Sequence, residues 1–156
     1  KWDIVYSWGV LHHTGDMRQA LENVLVPLSN NQGKLFISIY NDEGYISKIW
    51  RKIKKFYVKG AINALFIKLI FLPPFLFFYL LLGTIKNLNP LHYFKFNNKN
   101  IRGMSIYFDF IDWIGGYPFE VAKPEEIINL YKSKGLKLQN LKTTNRLGCN
   151  EYIFEI

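Results

Sequence analysis

The chain is short of cysteine, of acidic side chains and of clustered metal ligands, and each shortage narrows what it can be. A single cysteine, Cys149, cannot form an internal disulfide, which fits a reducing compartment. Twelve acidic against twenty basic side chains leave a net charge of +8. Zinc coordination by His12, His13 and Asp16 fails on spacing: the three do not share one face, and no further ligands cluster with them. The basic excess invites nucleic acid, but no reader motif or stacking platform stands beside it, so nucleic acid is not an expected partner. Internal repeats are lacking. So is a charged-then-apolar leader, and Lys1-Trp2-Asp3-Ile4-Val5-Tyr6 reads as the interior of a domain.

Apolar and aromatic residues are plentiful, at 49% and 17% of the chain, enough for a sizeable core. Residues 2–6 form a short apolar run suited to a strand buried on both faces, and Ser7 to Gly15 break it. Asp16 suits a helix N-cap, with Met17, Ala20, Leu21, Val24, Leu25 and Leu28 following on one face. Ser29 to Gly33 make a turn in which Gly33 can take positive φ. Leu35 to Tyr40 read as a second buried strand. Residues 1–44 thus predict a βαβ unit with a right-handed crossover.

Residues 45–120 read as a long, irregular, largely helical insertion. Pro73-Pro74 should divide it into two helices or kink it sharply. Asn87 to Arg102 are loop-rich, with an Asn/Lys-rich centre at Asn97-Asn98-Lys99-Asn100, and Gly115-Gly116-Tyr117-Pro118 is a turn. Residues 121–156 complete the first unit's domain. Pro124 suits a first helical position, Glu125 and Glu126 the positive end of the helix dipole, and Gly135 the C-terminal cap. Leu136 to Leu141 and Tyr152 to Ile156 alternate as an antiparallel strand pair around Thr143 to Gly148.

Trp2-Asp3-Ile4-Val5 followed by Ser7-Trp8-Gly9-Val10-Leu11-His12-His13-Thr14-Gly15-Asp16 resembles the segment around the fourth strand of class I methyltransferases that use S-adenosylmethionine. Gly33-Lys34-Leu35-Phe36-Ile37-Ser38-Ile39-Tyr40 is similar to that family's passage into the fifth strand, with Asn31-Gln32-Gly33 in place of the usual Pro-Gly-Gly. The terminal helix and antiparallel pair match the end of its sheet. More narrowly, Arg102-Gly103-Met104-Ser105, Asp109, Asp112-Trp113, Gly115 to Glu120 and Gly148-Cys149-Asn150-Glu151 resemble a bacterial subgroup. The resemblance implies an α/β fold: a partial Rossmann-like methyltransferase sheet of two parallel strands plus a C-terminal antiparallel pair, with a helical insertion. The family's glycine-rich loop and its ribose-binding acid have no counterpart in these residues. The expectation is a C-terminal half that holds S-adenosylmethionine poorly without an upstream segment of about half a domain.

Ligands in open α/β sheets sit beyond the carboxyl ends of the parallel strands. That rule selects Ser7, Trp8, Gly9 and Val10 after one strand, and Tyr40 and Asn41 after the other. The resemblance implies that Ser7, Trp8 and Gly9 lie against the methionine part of the cofactor, with Trp8 and Val10 as apolar wall; Trp8 packing a helix onto the sheet is the structural alternative. His12 and His13 are the acid–base candidates, because imidazole titrates near neutral pH. Adjacent residues rarely point the same way, so one of them faces the substrate, with His12 the first choice. Either can equally be satisfying backbone groups at a helix start. On the substrate side stand Tyr107, Asp109, Asp112, Trp113, Tyr117, Glu120 and one of Asn150 and Glu151, Asn150 being preferred.

Between Ala61 and Gly83 only Lys68 is charged, and six cations, Lys48 to Lys59, precede that stretch within twelve residues. The favoured expectation is a helical cap over the catalytic sheet, whose apolar lining suits a small-molecule or lipid-linked methyl acceptor. Peripheral membrane contact through residues 48–83 and a true span are the alternatives. The expected location is cytoplasmic, or cytoplasmic and membrane-associated. A non-catalytic membrane-surface or scaffolding module of the same fold is the competing function.

Overall fold

The computed structural model describes residues 1–29, 31–94, 105–145 and 148–156. They form two compact units, Lys1–Arg51 with Pro118–Ile156, and Lys52–Tyr117. The fold is mixed α/β, with a four-stranded mixed sheet and, among the described residues, five α-helices including one long inserted helix.

In the first unit the strands are β1 (Ile4–Trp8), β2 (Lys34–Tyr40), β3 (Lys137–Lys142) and β4 (Cys149–Glu155), in the order β1-β2-β4-β3. β1 and β2 are parallel, with Val5 opposite Leu35 and Ser7 opposite Ile37. β4 lies antiparallel between β2 and β3. The helices are α1 (Met17–Asn23) and α5 (Pro124–Ser133). One face of the sheet, carrying Leu35, Ile37, Ile39, Tyr152 and Phe154, shares a core with Leu21 of α1 and with Ile127 and Tyr131 of α5. Tyr131 ties the two helices together, donating its hydroxyl proton to the Leu21 carbonyl at 3.0 Å.

Local signals act much as expected at several ends. Asp16 caps α1 by accepting from the Gln19 N–H. Pro124 opens α5, the Glu126 carboxylate accepts from the Lys123 N–H, and Gly135, just past the helix, adopts φ +86°.

Four expectations for this unit are corrected. The first strand runs over Ile4–Trp8, so it includes Ser7 and Trp8 and is displaced from residues 2–6. Nor is it buried on both faces. β1 is an edge strand, and Trp2, Ile4, Tyr6 and Trp8 form an exposed apolar row, with Tyr6 and Trp8 stacked at 5.6 Å. Helix α1 stops at Asn23, because Pro27 has no N–H to donate to the Asn23 carbonyl and biases Val26 away from helix. In the following turn Gln32, not Gly33, takes positive φ. Gly33 is needed for closeness: a Cβ there would stand 2.4 Å from the Ser29 carbonyl oxygen.

The second unit holds α3 (Ala61–Asn87), α4 (Ile106–Gly115) and the C-terminal part of α2 (Tyr45–Tyr57). Ile67 of α3 with Phe110 and Ile114 of α4 form a small core, which Ile53, Tyr57, Phe71 and Phe75 extend. Gly115 ends α4 where a Cβ would come within 2.9 Å of the Tyr57 ring. Pro73 and Pro74 do not divide α3 into two helices, the first of the two expected outcomes: the helix is continuous through them. Both are exposed, and the two N–H donors they lack interrupt only the outer side of a helix whose other side is held by packing. The Asn/Lys-rich centre at 97–100, and Arg102-Gly103-Met104, lie outside the described residues.

Candidate functional site

Because β1 and β2 are parallel and in register, their carboxyl ends stop side by side, and the segments that follow them share one rim. Gly9 turns the chain out of β1 at φ +72°, a conformation that favours glycine. A Cβ at Gly9 would meet nothing within 4 Å, so the space in front of this turn is open. Trp8 and Val10 are exposed on either side of it. Ser7 is half-buried inside β1.

A 3-10 turn at Leu11–His13 then carries both imidazoles back over the end of β2. His12 is 1% exposed. Its Nδ1 accepts from the Tyr40 N–H at 3.3 Å, and its ring lies 4.1 Å from that of Tyr40. Burial, then the neighbouring His13, push its pKa down to about 4, against an opposing hydrogen bond to the Ser38 backbone. His12 is therefore neutral near pH 7, engaged with β2 backbone and a weak base. His13 is different. It is only half-buried, and its Nδ1 lies 2.6 Å from the Pro118 carbonyl oxygen. Since a carbonyl only accepts, Nδ1 carries a proton, which in the neutral ring leaves the lone pair on Nε2. Of the two rings, His13 is the one that is held by a carbonyl and still partly exposed.

Tyr40 is the hub of this rim. Its ring meets those of His12, His13 and Phe119, the last at 5.1 Å. Pro118 and Phe119 were not singled out by the sequence as partners of the histidines. The Pro118 carbonyl acts from 105 residues away along the chain, and no local pattern announces such a distance. Phe119 is buried, and its carbonyl accepts from Arg51 Nε at 3.1 Å.

Several substrate-side candidates are occupied with structure. Asn41 donates from Nδ2 to a Glu43 carboxylate oxygen and to the Thr144 carbonyl, and its Oδ1 accepts from Asn150 Nδ2 at 2.9 Å. Asn150, fully buried, in turn accepts from the Thr144 N–H at 3.0 Å. The pair stitches the end of β2 to β4 and to the loop before it. The Glu120 carboxylate accepts from the Met17 N–H at 3.0 Å, and the Glu120 N–H donates to the His12 carbonyl, so Glu120 holds the start of α1 against the histidine turn. Tyr107, Asp109, Asp112, Trp113 and Tyr117 belong to the second unit. There Asp109 is half-buried in the first turn of α4, while Tyr107, Asp112, Trp113 and Tyr117 are exposed. Trp113 also meets Phe71 and Phe75.

No family model, curated protein or solved structure matches this chain. The site's chemistry therefore rests on its own geometry. One further polar group is conspicuous: Ser38 Oγ, on β2, is buried with no hydrogen-bond partner among the described residues. An unsatisfied hydroxyl costs stability. Ser38→Ala is expected to leave stability unchanged or raise it by about 1 kcal/mol, read from the midpoint of urea unfolding. A loss of comparable size would mean that the hydroxyl has a partner.

Proposed function

We propose that this chain is the acceptor-side, C-terminal part of a methyltransferase domain that uses S-adenosylmethionine. The observation that carries this reading is the shared rim: an open glycine turn after β1 beside an imidazole held with Nε2 basic over the end of β2. The residues fit the methionine end of the cofactor. Gly9 leaves room for close backbone approach, and Trp8 and Val10 offer exposed apolar surface to its methylene chain. The adenosine end would need the glycine loop and acidic residue that these residues lack, so an upstream segment belongs to the proposal.

When bound, S-adenosylmethionine supplies a sulfonium-activated methyl group, so the acceptor atom gains the carbon and sulfur keeps the electron pair of the broken bond. His13 Nε2 takes the proton that a hydroxyl or amine acceptor must release. The Pro118 carbonyl fixes the ring during that transfer and stabilises the imidazolium formed, because Nδ1–H remains its donor. His12 and Tyr40 brace the ring from the side, and Phe119 backs Tyr40.

Titration calorimetry tests the proposal. The domain with its upstream segment is expected to bind S-adenosylmethionine with a Kd on the order of 1 μM–1 mM, the usual range for substrates, and these 156 residues alone far more weakly. No heat from the longer polypeptide would end the methyltransferase reading.

A further inference from the structure

We infer that the second unit docks flat on an anionic lipid surface through the outer side of α3 and the basic row that leads into it. The inference does not depend on the methyl-transfer reading. Ile62, Leu65, Leu69, Phe77, Leu81 and Ile85 are all exposed, and at 3.6 residues per turn they follow one another from end to end of α3 over roughly half its circumference. At 1.5 Å per residue that stripe is about 36 Å long. It carries no charge, and Pro73 and Pro74 lie within it. The single charged residue in the helix before Lys86, Lys68, is off the stripe, 6.0 Å from the centre of the Tyr57 ring.

The chemistry beside the stripe selects its occupant. On α2 and just beyond it, Lys52, Lys55 and Lys59 are exposed at helical spacing. Phe56 lies among these cations and meets Phe66, at the margin of the stripe, with ring centroids 6.4 Å apart. A cationic edge joined to a long apolar face matches a bilayer with negative headgroups above its hydrocarbon. A second copy of the chain fits worse, since it would bring two basic rows of a +8 protein together.

Length and composition would also let α3 cross a bilayer. Its inner side argues for lying rather than spanning. That side packs on α4 and on the end of α2, where Lys54, 4% exposed, donates to the Trp113 carbonyl and interacts with Asp112. A spanning helix would have to shed those neighbours and place Lys68 in hydrocarbon.

Vesicle flotation of the 156-residue chain is the test. Vesicles of phosphatidylcholine with one third phosphatidylglycerol should float the protein at low salt, and pure phosphatidylcholine should float roughly tenfold less or weaker still. Lys52→Glu with Lys55→Glu should weaken binding to the anionic vesicles by about tenfold or more. Leu69→Glu with Phe77→Glu should abolish it. Both residues are 66% exposed, so their replacement leaves the core of the unit untouched. Ile4→Glu, on the other exposed apolar row, should leave flotation unchanged. With Cys149→Ser as background, Gly60→Cys and Lys86→Cys should both react with a membrane-impermeant maleimide added outside the vesicles. Failure to float on anionic vesicles, loss of flotation through Ile4→Glu alone, or protection of one of the two cysteines would overturn the inference. So would a vesicle-free dimer that Leu69→Glu dissolves while flotation persists.

Discussion

Replacing His13 with alanine in the domain that includes its upstream segment is expected to lower kcat by about 10²–10⁴-fold, the usual worth of a positioned general base. The Kd for S-adenosylmethionine should change little, because in the proposed arrangement His13 is on the acceptor side of the rim and Ser7 to Val10 are on the methionine side. That division separates chemistry from folding. The ring is oriented by one backbone carbonyl and braced edge-on by Tyr40, contacts that alanine loses at small structural cost. His13→Gln should be as inactive as alanine, since an amide can replace the hydrogen bond to Pro118 but cannot take the proton. A variant that retains full turnover with either substitution removes His13 from the mechanism. His12→Gln supplies the contrast: it should lose stability at neutral pH before it loses any chemical step.

Acid is expected to unfold the first unit through His12. Burial and the adjacent His13 hold its pKa at about 4, below the ordinary 6.5. The unfolded chain therefore binds this proton more readily than the native one between those values. Stability from this source is complete above about pH 6.5 and is lost as the pH falls towards 4; below that both states are protonated and nothing further is lost. The difference amounts to the order of 3 kcal/mol, a large share of a small domain's stability. Urea unfolding from about pH 7 to about pH 4, compared with His12→Gln, reads it directly. The wild-type curve should fall more steeply than the variant's, and parallel curves would show that His12 carries no buried proton deficit.

The exposed apolar row on β1 shows how a sequence pattern can be right in kind and wrong in consequence. Apart from Asp3, Trp2 to Tyr6 are apolar, as strands buried on both faces are, but the sheet order leaves β1 at an edge and this side of it uncovered among the described residues. Burial depends on what else packs there, and a short window carries no record of it. Gly33 makes the same point at smaller scale. Its place in a turn is legible, whereas the reason for glycine is the approach of the Ser29 carbonyl, which only closure of the turn brings near. The double proline does not divide the helix, because packing on α4 and α2 holds the chain helical across it.

Among the residues picked by the strand-end rule, Gly9 and Val10 follow β1, whereas Ser7, Trp8 and Tyr40 lie inside the strands themselves, and the Tyr40 ring meets the histidine pair, picked by residue type. The others chosen by residue type were less informative. Asn150 and Glu120 are polar groups in suggestive company, but their hydrogen bonds are taken up by Asn41 and by the backbone.

From its sequence alone this protein determines the start of α1 through Asp16 and both ends of α5 through Pro124 and Gly135, since these act within a few residues of chain. Tertiary structure alone decided that β4 lies between β2 and β3, that the outer side of α3 stays uncovered among the described residues, and that His12 is buried while His13 is held by Pro118. The physical reason is range. Each of those outcomes depends on groups far apart in the chain, as with Pro118 and His13, and only the folded packing brings them within hydrogen-bonding distance.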